Sequence, residues 1–303
     1  MAYFQVRTDL ALEAREFIEE ADGDTRGVIA EEYQVEDCDV QVTKVMITTK
    51  NGAKAMGKPI GTYITLEAQG LMEPDEGYHR EVSKVIAGQI KELLKSPEKE
   101  KSILVVGLGN IDVTADALGP EVVNNLLITR HMILQFGKAA YDKEKVNKIS
   151  AIIPGVMGKT GMESAEIVKG IVAETTPDVV VVIDALAARN TKRLNRTIQI
   201  TNTGIHPGSG VGNHRDAMTE ESLGVPVIAI GIPTVVDAAT IVNDAIERIK
   251  KELDQKELLF SGQGTGTLSE LNNMYVTSKD IDATIKRLSF TVSEGLNMAF
   301  EIA

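Results

Sequence analysis

Two hydrophobic patterns divide the chain. Up to about residue 70, β-branched residues gather in three stretches, Gly27 to Val35, Val40 to Thr49 and Gly61 to Glu67. Turn signals such as Asn51-Gly52 and Lys58-Pro59 separate them, which predicts an antiparallel meander. An amphipathic helix precedes it over Leu10 to Glu20, with Leu10, Ala14, Phe17 and Ile18 on one face. A second helix follows over Glu81 to Leu94, and a charged linker over Lys95 to Lys101. Beyond the linker the apolar runs become continuous: Ile103 to Val106, Ile149 to Ile153, Val179 to Ile183 and Val225 to Ile230. Such runs suit strands covered on both faces, as in a parallel sheet. Helical stretches at about Pro120 to Ile128, Ser164 to Glu174 and Ala238 to Leu253 separate them, and Thr197 to Thr201 adds a strand. Leu258 to Leu271 reads as a glycine-rich loop, and a helix over about Ile281 to Phe300 closes the chain. The prediction is an α/β fold, a doubly wound and mostly parallel sheet flanked by helices. An antiparallel β subdomain occupies about residues 26–70 of a single domain.

Composition narrows the function. The 303 residues are 43% hydrophobic and 25% charged, which suits a globular protein with a sizeable core. The net charge of -12 argues against direct binding to nucleic acid or to an anionic membrane, because both would repel the chain. Cys38 is the single cysteine, so no intrachain disulfide forms, as expected in a reducing compartment. Its neighbours Glu36, Asp37 and Asp39 disfavour a thiolate there. No apolar run approaches the ~20 residues a membrane-spanning helix needs, and the N-terminus lacks the apolar core of a signal peptide. A cytoplasmic protein is expected.

Ligands of open α/β sheets bind beyond the carboxyl ends of the strands. Gly107-Leu108-Gly109-Asn110 follows the first apolar run and opens a crossover containing Asp112 and Asp116. The two glycines resemble part of a dinucleotide fingerprint, but Asp112 stands where the third glycine belongs and would repel a pyrophosphate. Asp184 directly ends the most apolar run. Ionising it there is unfavourable unless it is paired or hydrogen-bonded. If the two strands are adjacent, Asp116 and Asp184 converge, share a proton, and suit general acid/base hydrolysis of an amide. An Asp after a strand equally serves as a helix N-cap, and the pattern alone leaves both roles open. His206, in Gly204-Ile205-His206-Pro207-Gly208, suits orienting a substrate or, with the two aspartates, holding a metal; it also suits bonding its own loop. Asn110 and Arg189 join it as residues expected to bind or orient substrate. No nucleophile elbow of the Gly-x-Ser-x-Gly kind is present.

These loops carry a specific resemblance. Val105 to Asn110, Val113 to Pro120, Asn125 to His131, Pro154 to Gly158, Ile183 to Arg189, Gly204 to Asn213 and Gly231 to Asp237 resemble, in order, the motifs of the germination proteases of endospore-forming bacteria. The resemblance implies an atypical aspartic endopeptidase that degrades the small acid-soluble proteins coating spore DNA. Its fold is similar to that of the hydrogenase-maturation endopeptidases. It implies Asp116 and Asp184 as the catalytic pair, no metal or other cofactor, a homotetramer, and a location in the forespore cytoplasm or spore core. It further implies an inactive zymogen that removes its own N-terminal segment. Arg7-Thr8-Asp9-Leu10-Ala11 resembles the self-cleavage site, with the cut between Asp9 and Leu10. Residues 1–9 are then a pro-segment that covers the site as a substrate does, and residues 10–303 the peptidase. The alternative is a metal-sensing maturation peptidase of the hydrogenase type; a third reading is a nucleotide- or protein-binding module without activity. The family often has proline where this chain has Ala115.

Overall fold

The computed structural model describes residues 8–20, 26–94, 99–138, 141, 145–207, 215–242, 245–246, 271 and 274–301. Nine strands among them form one mixed sheet. They are β1 (Val28–Val35), β2 (Val40–Ile47), β3 (Gly61–Glu67), β4 (Ser102–Gly107), β5 (Lys148–Ile152), β6 (Val179–Ala188), β7 (Thr197–Thr201), β8 (Val227–Asp237) and β9 (Tyr275–Val276). The order is β1-β2-β3-β7-β8-β6-β4-β5, with β9 paired to β8. β5, β4, β6 and β8 run parallel. β1, β2, β3 and β7 run antiparallel to their neighbours, so β7 joins the N-terminal meander to the parallel strands.

The side-chain alternation of each strand separates two cores. Val179, Val181 and Ile183 of β6 face a core shared with Ile198, Ile228, Ile86 and the C-terminal helix Ile281–Ala299. Val180 and Val182 face the other core, with Val168 and Val172 of the helix Ser164–Thr175. Asp184 follows in the second series and is carried to that second face.

Several local expectations are corrected. β6 and β8 do not stop at Ile183 and Ile230. They continue through Asp184 and Gly231, in register to Ala188↔Val236 with an irregularity at Leu186/Ala187. Asp184 is therefore a strand residue and not a loop residue: the ladder continues although the apolar run has ended. Asn51-Gly52 is not a simple turn but part of the helix Lys50–Met56, whose cap Thr49 accepts a hydrogen bond from Gly52 N at 3.0 Å. The helix predicted from Glu81 begins at Glu76, capped by Asp75, because its first turn is too polar to show apolar periodicity. The predicted helix Pro120 to Ile128 is Leu118–Asn124, followed by a separate helix Arg130–Phe136. The predicted loop at residues 258–270 and the end of the predicted helix before it lie outside the described residues.

β4 ends at Gly107, opposite Ile183. From Asp184 onward, the edge of β6 that faced β4 has no ladder partner on that side among the described residues. The candidate residues Asp116 and Asp184 lie beside this open edge.

Candidate active site

Asp116 ends a short turn, Thr114–Asp116, that the crossover folds back onto the end of β4. Leu108 N still donates to Ile183 O at 2.8 Å, which pins the start of the crossover to β6. Gly109 then takes φ +116°, and a Cβ there would lie 1.9 Å from the Asp116 carbonyl oxygen. Only glycine lets the turn close so tightly. With it closed, Asn110 N donates to Asp116 Oδ2 at 2.8 Å. Asn110 thus orients Asp116 through its backbone. Asp112 is exposed and pairs with Lys159.

Asp184 is 7% exposed, and its Oδ1 accepts from Ala185 N at 2.9 Å. Asp116 and Asp184 line one cavity of about 460 Å³, together with Asp9, Arg215 and Thr234. Burial pushes the Asp184 carboxyl well above the usual carboxylate range, and the charges of Asp116 and Asp9 push it further. Burial also raises Asp116, while the Asn110 N–H and the Arg215 guanidinium pull it back. The two environments favour holding the proton on Asp184 and ionising Asp116 first.

A second cavity, of about 330 Å³, shares Asp9, Asp184 and Leu186 with the first. It adds Lys58, Gln199 and His206. Asp184 and Gln199 both align with Gly231 of the intervening β8, so they share a sheet face two strands apart. Exposed His206 lines the second cavity together with Asp184, but not the first, where Asp116 lies. Among the described residues, no group of three or more His, Cys, Asp and Glu is placed to hold a metal ion. Arg189 lines neither cavity; its backbone N–H donates to Glu13 Oε2 at 2.9 Å. Residues 208–214 of the glycine-rich motif lie outside the described residues.

The N-terminal segment lies across the site. Asp9 N donates to Ala187 O at 3.2 Å, and Ala187 N donates back to Asp9 Oδ2 at 3.0 Å. Leu10 is fully buried in the second core. Glu13, 3% exposed, accepts from the backbone N–H groups of Arg189 and Asn190 and from the Thr8 hydroxyl. Arg193 clamps Glu16 with two bonds of 2.7 and 2.6 Å and also reaches Glu67 at 3.1 Å. Burial opposes the charge on Arg193, but Glu16, Glu67 and Glu13 outweigh it and hold the guanidinium above its ordinary value.

Sequence reasoning missed Lys58, Gln199, Arg193, Arg215 and Thr234. Gln199 left a faint signal, as a polar position between Ile198 and Ile200 of an alternating strand. Lys58 left none, being one lysine among many in a turn.

Comparison with known proteins adds the family. The sequence model of the germination proteases matches residues 6–259. The germination protease of Caldanaerobacter subterraneus subsp. tengcongensis is 48% identical, covering 98% of this chain and 94% of its own. That of Clostridium perfringens (strain ATCC 13124) is 45% identical over 98% and 96% of the two chains, and that of Bacillus cytotoxicus 39% over 99% and 94%. A solved NiFe hydrogenase maturation protease, HycI from Thermococcus kodakarensis, overlaps 48% of this chain and 80% of its own at 19% identity. Its TM-score is 0.30, too low to carry an argument. These matches define the class: the protein is a protease, hence a hydrolase. The chain belongs to the germination protease family.

Proposed function

We propose that this chain is an atypical aspartic endopeptidase that begins the degradation of small acid-soluble spore proteins during germination. The observation that carries the reading is the shared cavity of Asp116 and Asp184, in which the buried Asp184 carboxyl is held well above the usual range. In this reading Asp116, ionised, takes a proton from a water as its oxygen attacks the peptide carbonyl carbon. The carbonyl π electrons move onto oxygen. When that oxygen re-forms the double bond, the C–N bond breaks, and the nitrogen takes the proton of Asp184. The amine and a carboxylic acid are released, and the proton gained by Asp116 restores the shared state of the pair.

The chain is made as a zymogen, with residues 1–9 as its pro-segment and the cut between Asp9 and Leu10. The placement of Asp9 in both cavities, with its carboxylate accepting from Ala187 N–H, supports this part of the reading. The active protein works without a cofactor, as a homotetramer in the forespore cytoplasm. Asp116→Asn and Asp184→Asn are each expected to abolish cleavage of a purified small acid-soluble spore protein, with circular dichroism unchanged. Full activity in either variant overturns the assignment.

A further inference from the structure

The bond that this reading cuts, between Asp9 and Leu10, already lies in the site, and its carbonyl oxygen is held by two side chains. Lys58 Nζ donates to Asp9 O at 2.9 Å, and Gln199 Nε2 donates to the same oxygen at 3.2 Å. The Gln199 amide orientation is fixed from the other side, because its Oε1 accepts from Ala11 N at 2.6 Å. We propose that Lys58 and Gln199 form the oxyanion hole of this peptidase. The inference rests on the proposed aspartic chemistry and cut site.

The placement fits what the reaction needs. Asp9 lines both cavities, the one holding Asp116 and Asp184 and the one holding Lys58 and Gln199. Negative charge develops on the carbonyl oxygen as water adds to the carbon. Donors already aimed at that oxygen stabilise it without reorganising. A half-buried ammonium does this more strongly than an amide. Lys58 donates its hydrogen bond to the carbonyl and not to a carboxylate; burial pulls the ammonium's pKa below its ordinary value, and the nearby charges of Asp9 and Glu13 only partly offset that.

The surrounding contacts also explain an acid before the cut and an apolar residue after it. Ala187 lies on the β6 edge that β4 leaves open. There the Asp9 backbone N–H meets the Ala187 carbonyl, and the Asp9 carboxylate accepts from the Ala187 N–H as a strand carbonyl would. Leu10 fills the apolar core beyond. Gln199 bonds to both sides of the bond to be broken, which fixes the peptide's register over the carboxyl pair.

The test follows release of the Asp9 segment from the purified full-length chain, read as the appearance of a Leu10 N-terminus. Wild type should convert, and Asp184→Asn should not. Lys58→Met should slow conversion about 100-fold or more, the loss typical of a missing oxyanion donor, with an unchanged melting temperature. Lys58→Arg should recover part of the rate. Gln199→Glu keeps the acceptor for Ala11 and loses the donor, and should slow conversion at least tenfold. On a peptide of residues 5–14 given to the processed enzyme, Lys58→Met should lower kcat and leave KM within about twofold, because the carbonyl oxygen is fully charged only in the transition state. If wild type converts and Asp184→Asn does not, but Lys58→Met or Gln199→Glu converts at the wild-type rate, the oxyanion assignment is overturned and the aspartic chemistry stands. If wild type never yields a Leu10 terminus, the cut site fails and the inference falls with it.

Discussion

Thr234 donates its hydroxyl to the Ala115 carbonyl at 2.6 Å, tying the turn that carries Asp116 to strand β8. Alanine places no ring constraint on this turn, and the bond from Thr234 supplies a restraint in its place. Thr234 is 1% exposed, so Thr234→Val keeps the shape and leaves the carbonyl unsatisfied. Such a loss costs about 1–3 kcal/mol. The variant should melt at lower temperature and cleave more slowly. Unchanged melting and unchanged kcat/KM would remove Thr234 from this role.

Gly109 takes a backbone conformation that L side chains rarely adopt, with its missing Cβ directed at the Asp116 carbonyl. Gly109→Ala must open the turn and break the Asn110 N–H to Asp116 bond. Cleavage should fall at least tenfold, in keeping with strain of about 1–3 kcal/mol at one residue. A crystal structure of the variant with that bond intact and full activity would refute the argument.

Burial of Asp184 makes a stability prediction with a definite sign. Below the unfolded-state pKa of about 3.9, the carboxyl is protonated in both states and contributes no difference. Above it, the unfolded chain releases the proton while the native chain retains it, so folding stability falls until Asp184 itself ionises. Asp184→Asn removes this penalty, and its amide oxygen can still accept from Ala185. The inactive variant should therefore melt higher than wild type near pH 7, with the gain vanishing toward pH 4. A melting difference independent of pH would count against a raised Asp184.

The same pair sets the pH profile. Activity should rise as Asp116 ionises and fall as Asp184 loses its proton. Both limbs should lie above the ordinary carboxylate range, since burial raises both groups. Measurement of kcat/KM against pH on a peptide substrate checks this. A level profile from about pH 5 to about pH 9 is incompatible with a shared proton on this pair.

Arg193 holds the N-terminal helix Ala11–Glu20 through Glu16, and lies 3.6 Å from buried Glu13. Arg193→Met strips a cation from buried Glu13 and from the partly exposed Glu16 and Glu67, a change worth roughly 3–5 kcal/mol where burial is complete. Glu13 retains its backbone donors, so the low end is expected. Hydrogen exchange at the Ala11 amide should accelerate, and proteases should reach Thr8 to Glu20 sooner. Protection equal to wild type would show that the backbone bonds alone hold the segment.

Much of the fold is legible in the sequence because burial leaves a periodic record. The alternation in β1 to β3 and the narrow span of β7 mark their strands within about two residues, and the five-residue apolar run marks the start of β6 but not its continuation to Ala188. Asp184 is visible for the same reason, as a carboxylate interrupting an apolar run. Asp116 is less so: Asp112 sits in the same crossover, and only the folded turn half-buries Asp116 in the cavity while leaving Asp112 exposed on Lys159.

What the sequence by itself determined is therefore the strands, the α/β class, the family motifs and the acids at the carboxyl ends of the sheet. These depend on local periodicity and on residue types adjacent along the chain. What only the tertiary structure decided is which distant residues meet. Lys58 and Gln199 are separated by more than a hundred positions, yet both bond to the carbonyl of Asp9. That meeting arises because β4 ends before β6 does, leaving an edge that the N-terminus fills. Strand length and pairing order depend on the summed hydrogen bonding and burial of the whole sheet, and no local pattern encodes that sum.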